Sequence, residues 1–541
     1  MEQERQRPPR PKRQPDVVRT SIELGAFGVF AVIVITVLGV VLHAGRGESA
    51  PPRNTVVVAQ SADFATLDPA LAQAPEAWEL EYATCAKLLD YPPSSGYRGT
   101  RVAPEVATSL PAVSPDRLTY TFHLRPGWRF SDGTRVTAAS FARALERARS
   151  PELVSPADTY LREVQSWRAS GLTLTVELSR PAPDFAERLA LPYFCAVPAS
   201  TPNVQKDTLP SAGPFAIASY HRGRSLELVR NPYYAGPRKT HVDSILYRFG
   251  AFPAEIRLQL QRGEVDYGVV TPSAFAELAA TEQRSHTHLL VVQQPIVAYL
   301  ALNTQRPLFR DNAALRRAIS FALNRPVLAS LFGRDGAKPN DEYLPPGFPG
   351  YEPRHVYPVD GPDLAAARRL AQGHLRGGHA TFLTCGSQAC IDRALAVAQT
   401  LREIGLKVDV RTSPGTSQLT LAAVRGTKFD ITDVITRPDY GDPYALIDKL
   451  LDSRAIRSVG NTNLAYFVSP ALNRSIDAAQ QMTGIARDRA YGLLGLTVAR
   501  TQAPLVAYAV LNARVALSKR VGCITYQAVY GLDLAGLCLA S

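Results

Sequence analysis

Leu118-Thr-Tyr-Thr-Phe-His-Leu-Arg-Pro-Gly-Trp-Arg-Phe-Ser-Asp-Gly-Thr-Arg-Val-Thr-Ala138 is the stretch on which the fold turns. Tyr120–Leu124 alternates apolar and polar side chains, the mark of a strand with one buried face. Ser131-Asp-Gly133 is turn chemistry: an aspartate that can hydrogen-bond its own backbone, then a glycine free to take positive φ. Beyond it the sequence predicts a helix around Ala138–Ala148. Leu172-Thr-Leu-Thr-Val-Glu-Leu178 repeats the alternation. The region from about 100 to 204 therefore reads as antiparallel strands with short helices.

Outward from this block the pattern changes. Thr55-Val-Val-Val-Ala59 predicts a buried first strand. Leu226 and Leu228 lie in an alternating strand that Asn231-Pro232 ends, and Val242–Phe249 predicts another. After about 300, helix alternates with strand. Leu315, Ala318, Ile319, Ala322 and Leu323 fall at helical spacing, and Pro326 restarts a second helix. Helices are expected at Leu364–Leu375, at Ala394–Ile404 (closed by Gly405) and at Tyr444–Leu451. Strands are expected at Ala380–Leu383, Leu406–Val410 and Phe429–Ile435. This is α/β behaviour. Near the C-terminus, Leu505–Val510 and Ala513–Leu517 return to strand-like sequence.

The chain has 541 residues, more than one core of roughly 250–300 residues can hold. Its 46% hydrophobic and 20% charged composition excludes a disordered chain or a coiled coil. A mean hydropathy of -0.08 excludes a polytopic membrane protein. Leu24–Leu42 is an uncharged run long enough, at about 1.5 Å per residue, to cross a hydrocarbon core of ~30 Å as a helix. Basic residues crowd its N-terminal side, so residues 1–23 are expected in the cytoplasm and the body outside. The run exceeds the usual apolar stretch of a cleaved signal, and no good small-x-small site follows it. An uncleaved anchor is therefore the expectation and a cleaved signal the alternative. Residues 43–54 form a linker. Of the net charge of +12, the first 20 residues hold +3. The remainder is spread thinly, and basic and aromatic residues do not interleave in a patch, so nucleic acid is not an expected partner.

Export makes disulfides the default for Cys85, Cys195, Cys385, Cys390, Cys523 and Cys538. Six thiols allow 15 pairings. Nearness in sequence favours Cys385 with Cys390 and Cys523 with Cys538, which leaves Cys85 with Cys195; unpaired buried cysteines are the alternative. His374, His379, Cys385 and Cys390 form the best metal-like spacing, but it is looser than zinc sites use. Nucleophile elbows, zinc-protease motifs, P-loops and dinucleotide fingerprints are absent, so no enzyme and no cofactor is expected. Asp430, Asp433, Asp439 and Asp442 form the best acidic cluster. Asp439 and Asp442 lie in a loop at the carboxyl end of a predicted strand, where α/β folds bind ligands. Asp442 before Pro443 fits a helix cap, which leaves Asp439 as the freer carboxylate.

Taken in order along residues 55–541, several segments resemble the family 5 solute-binding proteins of ABC importers, which include dipeptide-, oligopeptide- and nickel-binding members. They are Ala65-Thr-Leu-Asp-Pro69, Pro104-Glu-Val-Ala-Thr-Ser-Leu-Pro111, the 118–138 block, Ala212-Gly-Pro-Phe215, Leu228-Val-Arg-Asn-Pro-Tyr-Tyr234, Leu302-Asn-Thr304, Leu315–Arg325 and Asp439-Tyr-Gly-Asp-Pro443. The 118–138 block is the specific one. The resemblance implies an α/β, two-lobed periplasmic-binding-protein-like fold of type II, with an extra subdomain and a hinge. Lobe one is then 55–302 plus 505–541, with 91–204 appended, and lobe two is 303–504. The crossings fall at Leu302-Asn303 and near Pro504, where the rhythm changes.

The implied function is capture of a peptide between the lobes and its delivery to a permease and ATPase by a monomeric receptor. A buried α-ammonium group needs a carboxylate, a role that the resemblance gives to Asp439, beside Tyr440. Arg393 lies near the family position that meets a peptide carboxylate. Asp63-Phe-Ala-Thr66 is expected to line the cleft, with core packing the alternative for Phe64, and Asn303 is a candidate at the hinge. Thr436 stands where the family usually has Trp, and Arg437 and Pro438 are unusual neighbours, so a reshaped pocket is expected. A non-peptide solute such as a nickel chelate, or a membrane-anchored sensor without an importer, is the alternative; a secreted hydrolase is the rival from another class.

Overall fold

The computed structural model describes residues 54–413 and 417–540. The basic tail, the apolar run Leu24–Leu42 and the linker up to 53 lie outside the described residues. Among the described residues no helix is long and apolar enough to cross a membrane.

A mixed sheet of 11 strands organises the body. At its centre two long strands, Thr287–Leu302 and Leu505–Ser518, pair antiparallel. To one side lie Ile431–Thr436, His379–Cys385 and Lys407–Ser413. To the other lie Tyr267–Gly268, Thr55–Gln60, Ser244–Phe249, Ser225–Arg230 and Phe215–His221, and short Ala337–Pro339 joins Leu505–Ser518.

Over Val297–Leu302 and Leu505–Val510 the central strands are buried on both faces and apolar on both, as doubly covered strands must be. Val297, Tyr299, Ala301, Leu505 and Ala507 face one core, and Ala298, Leu300, Leu302, Val506 and Tyr508 face another; both cores are otherwise built from residues of the 303–504 segment. At the opposite end of the same strands, Leu290, Val515 and Leu517 join the core of the first half of the chain. Leu289 and Ala516 pack with Ile256, Leu260 and Leu278. The fold is thus two-lobed, with both lobes strung on one pair of strands. The ladder is irregular between Gln293 and Val297. Pro295 sits in that gap and has no N–H to donate, which explains the break.

Leu505–Ser518 is a single strand, not the two expected. Asn512 interrupts the apolar pattern, but its side-chain amide donates to the Asp335 carbonyl (3.0 Å) and its N–H to the Gly336 carbonyl (2.9 Å), so the strand continues through it. The helix expected over 364–375 stops at Ala371, just before Gly373 at φ 77°. The helix expected from Ala394 starts at Gln388, because the Ser387 hydroxyl caps it.

The opening block folds as read. Thr119–His123 pairs antiparallel with Thr173–Leu178 in a separate 4-stranded sheet. Its buried face carries Tyr120, Phe122, Leu174 and Val176. Asp132 Oδ1 accepts from the Thr134 N–H at 2.9 Å and Gly133 takes φ 84°, a conformation that side chains rarely adopt. Helix Ala138–Arg149 follows, closed at its start by Thr137 and Ser140 in a reciprocal cap. All six cysteines pair as proximity suggests: Cys85–Cys195, Cys385–Cys390 and Cys523–Cys538. The loose metal-like tetrad therefore has no free thiolates.

Candidate functional site

Arg437–Pro443 links strand Ile431–Thr436 to helix Tyr444–Leu451 and lies against the first lobe. Its approach is close enough to dictate sequence. A Cβ on Gly441 would sit 2.0 Å from the Thr100 carbonyl oxygen, so only glycine fits. The Gly441 N–H donates to the Tyr91 hydroxyl at 2.9 Å. Tyr440 is buried in the first-lobe core and its hydroxyl donates to Asp184 Oδ2 at 2.7 Å. Asp184 also takes both Nε and Nη2 of Arg188 at 2.9 Å. Burial opposes the Asp184 charge, but Arg188 and Arg487 hold its carboxyl below the usual range. Asp442 pairs with buried Arg487 and accepts from the Tyr444 N–H at 2.9 Å. The helix begins at Tyr444 with Pro443, not Asp442, at its N-cap, so the cap falls one residue later than expected.

On the other side of this clamp is a cavity of about 200 Å³. The first lobe contributes Thr159, Tyr160, Arg162 and Arg188, and the second contributes Asp439, Tyr440, Asp448, Lys449 and Arg457. The Tyr160 hydroxyl donates to Asp439 Oδ2 at 2.9 Å. Burial, and next the Asp439 charge, raise the Tyr160 pKa well above the ordinary phenol value, so the proton stays on the tyrosine. The Lys449 ammonium binds the same oxygen. Arg162 reaches Asp448 at 3.4 Å.

A wall of rings runs along the seam. Trp78 and Tyr193 are 5.9 Å apart, Tyr193 and Tyr160 5.8 Å, and Tyr160 and Tyr440 6.3 Å. The Arg437 guanidinium lies 4.9 Å over the Trp78 ring, a cation–π contact between lobes. Glu79, next along the helix, accepts from the Leu532 N–H at 3.0 Å, and burial pushes its pKa up to about 8. Farther out, Arg101 meets Asp488 at 2.6 Å and Arg117 donates to the Gln481 carbonyl at 2.7 Å.

The structure brings Asp439 and Tyr440 together at this seam. The other four candidates do not line the cavity. Arg393 is buried against Asp433 at 2.8 Å, and Asp433 also accepts from the Tyr508 hydroxyl at 2.7 Å. Asp63 accepts from the Tyr220 hydroxyl and the Gly223 N–H, both at 2.7 Å, and so holds a hairpin. Phe64 packs edge-on against Tyr247 and Phe249. Buried Asn303 donates to the Phe429 carbonyl at 3.2 Å and shapes the turn after its strand. Sequence reasoning missed Tyr160, Trp78 and Lys449. Lys449 follows Asp439 by ten residues on the next helix and could have been found there; Tyr160 is 279 residues away and gives no local signal.

The sequence profile of the bacterial extracellular solute-binding proteins, family 5 middle, matches residues 101–458. The chain belongs to this family. It is a family of solute-binding proteins rather than of enzymes. Among relatives of this family 5 protein, the probable D,D-dipeptide-binding periplasmic protein DdpA of Escherichia coli K12 is 26% identical over 424 residues, 75% of this chain and 79% of that one. The glutathione-binding protein GsiB of Escherichia coli O1:K1 is 26% identical over 362 residues, 66% of this chain and 69% of its own. Among solved structures, the clavulanic acid biosynthesis oligopeptide binding protein 2 superposes with a TM-score of 0.80 at 25% identity, over 90% of this chain and 95% of that one.

Proposed function

We propose that this family 5 protein captures a peptide-like ligand between its two lobes, outside the cytoplasm, and presents it to the permease and ATPase of an ABC importer. The observation that carries this reading is the cavity built jointly by Tyr160 of the first lobe and Asp439 of the second. A site made from two lobes binds best when they are closed, so ligand shifts the population toward the closed state that a permease recognises. Peptide N–H and C=O groups lose water on enclosure and need replacement partners; the tyrosine hydroxyls, Asp439 and the cations of the cavity are of that kind. DdpA and GsiB, named for dipeptide and glutathione, support the ligand class.

The lobe boundaries belong to the same proposal. The crossings, expected at Leu302-Asn303 and near Pro504, are moved in this proposal into the strands, between Gln293 and Val297 and at Leu511-Asn512, because Val297–Leu302 and Leu505–Ala509 pack with the 303–504 segment; 91–204 stays as the appended subdomain. The anchor reading of Leu24–Leu42 is also retained, with a monomeric body. Carbonate-washed membranes that keep the full-length chain support the anchor, whereas release of a shortened chain favours signal cleavage. The ligand class is tested by mass spectrometry of whatever the purified protein retains. A nickel chelate or a sugar in place of a peptide overturns it.

A further inference from the structure

In the family resemblance, the Asp439 carboxylate receives the α-ammonium of a peptide. Here that place is already filled from within the chain. Lys449 projects from helix Tyr444–Leu451 onto Asp439 Oδ2, and the Tyr160 hydroxyl donates to the same atom at 2.9 Å. Among the described residues the other oxygen, Oδ1, accepts no hydrogen bond, which leaves room for one neutral N–H donor such as an amide. The rest of the lining points the same way. Arg162, Arg188, Lys449 and Arg457 face only two carboxylates, Asp439 and Asp448. Arg162 is matched by Asp448 and Arg188 by Asp184 and Glu163, and Lys449 is matched by Asp439. Arg457 is exposed and has no ion-pair partner among the described residues. Two residues before Asp439 and outside the cavity lining, the Arg437 guanidinium lies on Trp78, without an ion pair among the described residues. An ammonium group entering here would meet Lys449 at close range and the unmatched Arg457 guanidinium, and like charges at a partly buried site repel.

We propose that the cavity beside Asp439 receives an end of the ligand that carries no ammonium group, an N-acylated or carboxylate-bearing terminus of a peptide-like molecule, with Lys449 serving as the built-in cation of Asp439. Oδ1 accepts the amide N–H of the blocked terminus, and Arg457 takes a carboxylate where one is present. The inference rests on the peptide reading and specifies its substrate class.

The test uses the full chain and three probes: a tripeptide pool with free amino termini, the same pool N-acetylated, and the same pool N-succinylated. Each is offered to wild type, to Lys449→Met and to Lys449→Gln, with retained peptides counted by mass spectrometry and affinities read by competition. Wild type should retain the blocked pools at least about 10-fold over the free pool, and both variants should shift that preference toward free amino termini by a similar factor. Wild type favouring free amino termini overturns the inference while leaving the peptide reading intact. So does a preference for blocked pools that neither variant moves. Retention of no pool by any of the three proteins overturns the peptide reading itself, and this inference with it. The wild-type comparison alone decides the matter should either variant fail to fold.

Discussion

Within seven residues, Arg437–Pro443, the seam between the lobes has two halves of opposite character. Tyr440, Gly441 and Asp442 form a clamp in which each has a polar partner: Tyr440 on Asp184, Gly441 on Tyr91, and Asp442 on Arg487. Asp439 lines the cavity with one oxygen open, and Arg437, outside the lining, lies over the Trp78 ring. The difference teaches how one loop serves two tasks. The matched half fixes where the lobes meet, so that the unmatched half can be aimed at a ligand without the loop collapsing onto it.

Breaking the matched half should have the largest effect. Arg487→Ala leaves Asp442 buried with a single backbone donor, and removing one partner of a buried pair costs about 3–5 kcal/mol. Denaturant titration should show that loss; a change below ~1 kcal/mol would mean the Asp442–Arg487 pair does not hold the loop in place. Gly441→Ala pushes a methyl group into the Thr100 carbonyl and should force the lobes apart, costing about 1–3 kcal/mol and lowering ligand affinity about 10-fold in calorimetry. Unchanged affinity would separate binding from this seam.

Smaller effects sharpen the comparison on the cavity side. The folded pKa of Glu79, about 8, lies above its ordinary value of 4.5, so the folded state binds the extra proton. Its contribution to stability is complete below about pH 4.5 and is lost as pH rises toward 8. Glu79→Gln should therefore flatten the fall in Tm between pH 5 and 8, and an equal fall in both proteins would contradict the assignment. Tyr160→Phe removes one hydroxyl from Asp439 and should cost about 1 kcal/mol of stability, with a shift of a few-fold in ligand affinity. No shift in affinity would place the ligand elsewhere.

Much of this was legible in the chain. Alternation around Tyr120 and Leu174 gave the small sheet because one face of it is buried. The rhythm change near 300 marks real strand and helix order, and Asp439-Tyr-Gly-Asp-Pro443 was readable as a loop between a strand and a helix. Other features were hidden for physical reasons. The half Val297–Leu302 is buried on both faces and has no period to read, so the full length of Thr287–Leu302 and its change of core at Pro295 do not show in local pattern. Side chains such as Asp63 and Arg393 look free in a sequence, yet their partners Tyr220 and Asp433 lie 157 and 40 residues away. The pairing of Lys449 with Asp439 depends on how a loop turns into a helix, which spacing alone does not fix.

Mass spectrometry of the ligand retained by the full chain purified from its native source is the most direct test of peptide capture. A peptide-like molecule released on denaturation, and displaced by added peptide pools, is the predicted result. A sugar or a metal chelate in its place, or a protein that takes up no peptide from any pool, would contradict it.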